Sequence, residues 1–389
     1  MKLRLFALFA VITLCRTAAL AAAPASTVPA AAPAPHAAAA TSTVDDRARF
    51  LAGLPPAPGS PLATLAAGAG FKEHAADLDA KWAAVRTERL DRMTAWAAAE
   101  VAPRVHAEAP MYYIFGGPDF LTAATMYPDA PVYVLAGLEP IGKVPALESM
   151  SAKDLDAGLR NLRTSMRTLL KLSFFVTSEM GSDLTRTHIN GVLPLFYVYM
   201  GRLGMKVVDT EYVYLDPAGE VKTVPAGTTP DNGVPGVRVR FQREGKAKPQ
   251  ELYYFRQDII DAKLPAKPGL FPFMAKLGNG NTFLKAASFI LFDHNFAKTK
   301  DFLLEHSLTI LQDDSGLPYA AFKKDAWDFS FYGEYTRSRV KEFKAHYQTE
   351  LKKAVDAAKP PALPFRTGYA HEGASFLMFA APRKAQAAL

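Results

Sequence analysis

Cysteine is almost absent: Cys15 is the only one in 389 residues. One thiol can form no internal disulfide, and a chain trimmed past residue 15 has no thiolate for nucleophilic catalysis or for binding zinc. No G-x-S-x-G element occurs, and no two histidines stand in the H-x-x-x-H or H-E-x-x-H spacing that sets two imidazoles on one helix face. Apolar runs of membrane-spanning length are missing too, since the run Leu5 to Cys15 falls short of the roughly 20 residues a bilayer needs. Charge of one sign is scarce. The formal excess of +7 is spread along the chain without a cluster that would mark a nucleic-acid groove, so no nucleic-acid partner is expected.

What is present begins with Lys2 and Arg4, then the apolar run, then Arg16 and the small-residue triplet Ala19-Leu20-Ala21. This order reads as a signal peptide over residues 1–21, with a periplasmic or secreted product that keeps no transmembrane helix. Cutting after Ala23 would leave Pro24 directly behind the scissile bond. Lipidation of Cys15 is the rival reading, but the bulky Leu14 in front of it speaks against it. Processing removes three cations and no carboxylate, so the basic excess shrinks. Residues 22–44 are Ala, Pro, Ser and Thr with almost no charge, the composition of a disordered linker.

Residues 45–107 turn helical. Leu78, Trp82, Val85, Leu90, Met93 and Trp96 recur at three- and four-residue steps between Pro-rich interruptions, which predicts an N-terminal helical cap. Residues 108–389 read as one α/β domain. Met111 to Phe115 and Val132 to Leu135 are short continuous apolar runs of the buried parallel type, and Phe120 to Tyr127 between them has helical character, giving a right-handed β-α-β unit. Ser151 with Asp154 starts a helix, Leu193 to Leu203 forms another, and Met205 to Leu215 runs as a strand. Val237 to Phe241 and Leu252 to Phe255 form an antiparallel hairpin. Helices are expected over Phe283 to Phe292, Phe296 to His306 and Ser338 to Ala358, a strand over Leu308 to Leu311, and a closing hairpin over Phe365 to Ala380.

Two segments carry candidate chemistry. The turn Gly116-Gly117-Pro118-Asp119 lies where a backbone comes close to a ligand, and Glu139 follows the second strand of the same unit. Gly116, Gly117 and Glu139 are the candidate ligand-binding residues. Gln312-Asp313-Asp314-Ser315-Gly316 directly follows an apolar strand, where a carboxylate can act as a base, ligate a divalent cation or close an Asx turn. Asp119, Asp313 and Asp314 are the candidate catalytic groups. Lys285 beside an apolar helix could act as a base or snorkel to solvent. Ser338-x-x-Lys341 matches a short serine-lysine pairing whose supporting elements are missing, and the His371-Glu372 turn could project both groups toward a cleft. Trp327, Phe329, Phe331, Tyr332 and Tyr335 alternate as a core strand does, or line a groove for sugars or peptides. No metal-ligand set and no specific cofactor is indicated.

Residues 111–142 resemble the first β-α-β unit of class I methyltransferases and other Rossmann-like proteins. The resemblance implies that Glu139 binds a ribose and that the glycine turn approaches the ligand, although Pro118 removes one N–H from that turn. S-adenosylmethionine and dinucleotides are cytoplasmic ligands, which sets this implication against the signal peptide. The phrases FGGPDFLTAATMYPDAPVYVLAGLEPIG and LTILQDDSGLPY are also similar to those of exported bacterial proteins with no established activity. The expected fold is a Rossmann-like α/β domain: a mostly parallel sheet flanked by helices, with antiparallel hairpin additions and the helical cap. Two functions follow. One is a binding or structural module that holds a small molecule or an envelope component; the other is an envelope hydrolase or ligand-processing enzyme with a carboxylate site at the sheet edge.

Overall fold

Local chemistry accounts for the first parallel unit. The apolar Met111–Tyr113 forms strand β1, buried at every position, and Val132–Gly137 forms β2 beside it in parallel, with Met111 opposite Tyr133. Between them Asp119 caps the helix Phe120–Met126 by accepting from the Thr122 amide. This computed structural model describes residues 43–172, 187–228, 230–370 and 375–383. The segments expected as a signal peptide (1–21) and, but for its last two residues, as a linker (22–44), and the His371-Glu372 turn, lie outside the described residues.

Three further strands extend the parallel core: β6 (Gln250–Arg256) beyond β2, then β7 (Gly280–Leu284) and β8 (Ser307–Gln312) on the far side of β1. Two antiparallel wings complete a ten-stranded sheet. β5 (Val234–Gln242), β3 (Lys206–Leu215) and β4 (Val221–Thr223) continue outward from β6, while β10 (Phe376–Pro382) and β9 (Trp327–Gly333) continue from β8. Five of the nine strand pairings are antiparallel, so the sheet is mixed rather than mostly parallel. The physical reason on one side lies in the chain between β2 and β6, which folds into three antiparallel strands with β3 between β4 and β5. Its turn-forming residues 219–235 conceal β4 and the start of β5 from a reading by composition.

Alternation sorts side chains to two faces. Tyr133 and Leu135 point into one core layer, where Leu78, Trp82, Leu90, Met93 and Trp96 of the N-terminal helices are buried. Val134 and Ala136 point into the other, with Phe255, Leu270 and Phe273. On the β5–β3 wing the polar positions meet as ion pairs, Arg240 with Asp209 and Arg238 with Glu211, while Val237, Val239 and Phe241 are fully buried. The long helical run Ala69–Val85 continues to Trp96 through a π turn at Arg86–Leu90.

Three local expectations are corrected. β7 runs through Leu284, so Lys285 ends a strand rather than flanking a helix. The helix expected from Ser338 begins only at Thr349, after a short 3₁₀ stretch Lys341–His346, so Ser338 and Lys341 do not share a helical turn. β10 pairs with β8 and β9 instead of closing a hairpin with the segment before it. Trp327, Phe329 and Phe331 do lie on a strand, β9.

Candidate functional site

The parallel strands follow one another in the order β6-β2-β1-β7-β8, so the direction of winding reverses between β1 and β7. Loops leaving the carboxyl ends of those two strands diverge to opposite sides, and the crevice between them is where open α/β sheets take their ligands. A cavity of about 310 Å³ occupies this position, lined by Gly116, Gly117 and Asp119 after β1, Glu139 after β2, Gln257 to Ile259 after β6 and Lys285 to Ser288 after β7. Ile114, Ile290 and Phe296 give it apolar walls, and Leu138, 54% exposed, stands at its rim.

Close backbone approach explains the glycines. Gly117 has a φ of +50°, and a Cβ there would stand 3.2 Å from Glu139 Oε2. A Cβ on Gly137 would come within 3.0 Å of the Gly117 Cα. The β1 turn, the end of β2 and the Glu139 carboxylate therefore touch with no room for side chains between them. Glu139 is buried in the cavity wall, and the Tyr254 hydroxyl of β6 donates to its Oε2 at 3.1 Å. Burial, with the Glu139 charge adding to it, holds the Tyr254 phenol far above its usual range, so it remains a donor.

Asp119 is engaged in a buried network. Its Oδ2 lies 2.5 Å from Lys285 Nζ and accepts from the Tyr113 hydroxyl at 3.1 Å, and its Oδ1 accepts from the Thr122 hydroxyl at 2.8 Å. Lys285 also donates to that threonine oxygen at 3.1 Å. Burial pushes the Lys285 ammonium down from its ordinary value, against the pull of Asp119 and, more weakly, Asp313. The lysine, 1% exposed, does not snorkel. Its ion pair joins β7 to the helix cap after β1, a structural role that also lays charge along the cavity floor.

Asp313 sits just past β8 and accepts from the Ala286 amide at 2.8 Å and the Ser315 amide at 2.9 Å. Ser315 Oγ in turn accepts from the Ala287 amide at 2.8 Å. These bonds hold a strained loop: Ala286, Ser288 and Phe289 have φ of 51°, 53° and 57°, the left-handed region that residues with side chains avoid. Tyr369 adds a clamp, donating to the Ala286 carbonyl at 2.9 Å and meeting the Ser288 hydroxyl at 2.7 Å. Asp313 is thus an Asx-type anchor for the β7 loop. Its carboxyl is raised by burial, and that of Asp314 is pushed up to about 7 by desolvation and by the Asp313 charge.

Gly116, Gly117, Asp119 and Glu139 therefore line one crevice, Asp313 supports its wall from behind, and neither Asp313 nor Asp314 is among the lining residues. No group of three or more metal-ligating side chains converges among the described residues. No helix among the described residues is long and apolar enough to cross a membrane. Sequence reasoning missed Gln257 and Asp258, which line the crevice just past β6, Tyr254 of β6, which holds Glu139 from behind, and the clamping roles of Ser315 and Tyr369. Ser315 lies within the Gln312 to Gly316 segment but was given no role of its own, Tyr369 carries no motif, and the position of Asp258 just past an apolar strand was a usable signal. Comparison with known proteins yields no relative: no family model, no curated protein and no solved structure matches the chain.

Proposed function

We propose that this protein is a small-molecule-binding module on a Rossmann-like scaffold, and that the β1–β7 crevice takes a compact ligand with adjacent hydroxyls, of nucleoside type. The observation that carries the reading is the strained loop 286–289, held by Asp313, Ser315 and Tyr369 against the wall of the cavity at the reversal of strand order. Left-handed residues cost roughly 1–2 kcal/mol each, and such strain gathers where a site demands it. The parallel strands, numbered among themselves, run 3-2-1-4-5, the order of dinucleotide-binding sheets, which supports the Rossmann-like scaffold. Glu139 brings a carboxylate to the crevice wall as an acceptor for ligand hydroxyls, and Ile259, Ile290 and Phe296 offer a face for a flat base.

Binding is favoured over catalysis by the state of the carboxylates. Asp119 is neutralised by Lys285, and Asp313 is consumed by two backbone amides, so neither is free to move protons. Export to the envelope, read from residues 1–21, belongs to the same proposal and points to a scavenged or sensed ligand rather than a cytoplasmic cofactor. The test is thermal unfolding of the chain from Ala22 onward with adenosine, cytidine, adenine and ribose at millimolar concentration. A nucleoside is expected to raise the midpoint in the wild type and not in Glu139→Gln. Equal shifts in both proteins, or none with any of the four, would remove the proposal.

A further inference from the structure

A second and larger cleft, of about 1050 Å³, lies on the cap side of the sheet, between the helical run around Lys81 to Arg92 and the segment 360–366. Its charge is lopsided. Lys81, Arg89, Arg92, Arg167 and Arg366 line it, against only Glu88 and Glu334. Lys81 is paired with Asp77, and Arg92 reaches across to the Pro364 carbonyl at 3.5 Å. Among the described residues no carboxylate stands within ion-pair distance of Arg89, Arg167 or Arg366.

Arg89 is the inner member of this set. Its guanidinium is half-buried and pushed down by that burial; Asp119, Tyr199 and Glu88 act on it only through space, and the Asp119 oxygens already serve Lys285, Tyr113 and Thr122. Leaving a partly desolvated cation unpaired is costly, and an anion arriving in the cleft recovers that cost. The remaining wall is apolar: Val85 and Leu170 on the helical side, Leu363 and Phe365 opposite. Both walls are tied together, because Trp96 packs edge-on against Phe365 at 5.5 Å and against Tyr332 at 5.0 Å, so the opening is preformed.

We infer that this cleft is a second binding site, for a small organic anion with an apolar body, whose carboxylate, sulfonate or phosphate is held by Arg89, Arg167 and Arg366. The volume matches a metabolite-sized pocket rather than a polymer track, and the apolar wall distinguishes the ligand from an inorganic ion. This site is separate from the β1–β7 crevice and does not depend on the reading of that crevice.

Fluorescence titration with anilinonaphthalene sulfonate, and with its uncharged parent anilinonaphthalene, tests the assignment on the full chain. Arg167 and Arg366 are exposed, so Arg167→Gln/Arg366→Gln leaves the fold intact while removing two of the three anchors. The sulfonate is expected to bind about tenfold more weakly to this variant, with the neutral dye changed less than about twofold. Glu334→Gln, which removes an opposing charge, should tighten the sulfonate. Unchanged sulfonate affinity in the double variant, equal losses for both dyes, or weaker sulfonate binding by Glu334→Gln would each overturn the assignment.

Discussion

Lys285 shows how much a single buried charge can decide. Burial pushes its ammonium down while Asp119 pairs with it, so cutting the side chain back strands that carboxylate in the core. Lys285→Met should lower the unfolding free energy by about 3–5 kcal/mol in urea titrations, and Asp119→Asn/Lys285→Met should recover much of the loss. Equal instability of the two variants would show that the lysine acts through packing rather than charge. His74 makes a second prediction. It is fully buried, and burial lowers its ring to about 4 despite the bond from Nε2 to the Leu51 carbonyl. A depressed histidine contributes stability that is complete above pH 6.5 and is lost as pH falls toward 4, on the order of 3 kcal/mol. Asp314 acts in the opposite direction: with a carboxyl near 7, the folded state holds a proton the unfolded chain has released, so its contribution declines as pH rises from about 4 to 7. Asp314→Asn should therefore be more stable than the wild type at pH 8, with the gain vanishing at pH 4; a gain independent of pH would contradict this titration.

At the scale of elements, the β7 loop is the informative one. Ala286 at φ 51° can be relieved by glycine, so Ala286→Gly should raise stability by about 1 kcal/mol while loosening the crevice wall and weakening ligand binding. A destabilised variant would mean that the loop is not strained at that position. The difference between this loop and the β1 turn also explains what could be read from sequence. Gly116-Gly117 and the apolar runs around it announce strand, turn and helix through local rules, and the structure has each of them in place. Ala286, Ser288 and Phe289 give no such notice, because their conformation is imposed by Asp313, Ser315 and Tyr369 from elsewhere in the chain. Lys285 was misread for the same reason: its partner is remote in sequence, and Phe283 and Leu284 fit a helix or a strand equally well.

At the scale of the whole molecule, the helices near the amino terminus and the sheet share buried residues, Trp82 and Trp96 lying in the same layer as Tyr133 and Phe241. Urea unfolding followed by tryptophan fluorescence and by far-ultraviolet dichroism should therefore give coincident transitions; an early fluorescence change would show that the helices melt alone. Periodicity foretold which face of those helices is buried, since Leu78, Trp82, Val85, Leu90, Met93 and Trp96 are all buried. Strand order was beyond it. Pairings such as β10 between β8 and β9 join segments distant along the chain, and local alternation holds no information about neighbours.

The most direct measurement of the central claim is calorimetric titration of the chain from Ala22 with adenosine and with its 2′,3′-dideoxy analogue. If the β1–β7 crevice binds a nucleoside through Glu139, adenosine gives a saturable heat at one site per chain, and the dideoxy compound binds at least about tenfold more weakly because the carboxylate loses both hydroxyl donors. Equal affinity for the two compounds, or no heat with either, would contradict the account.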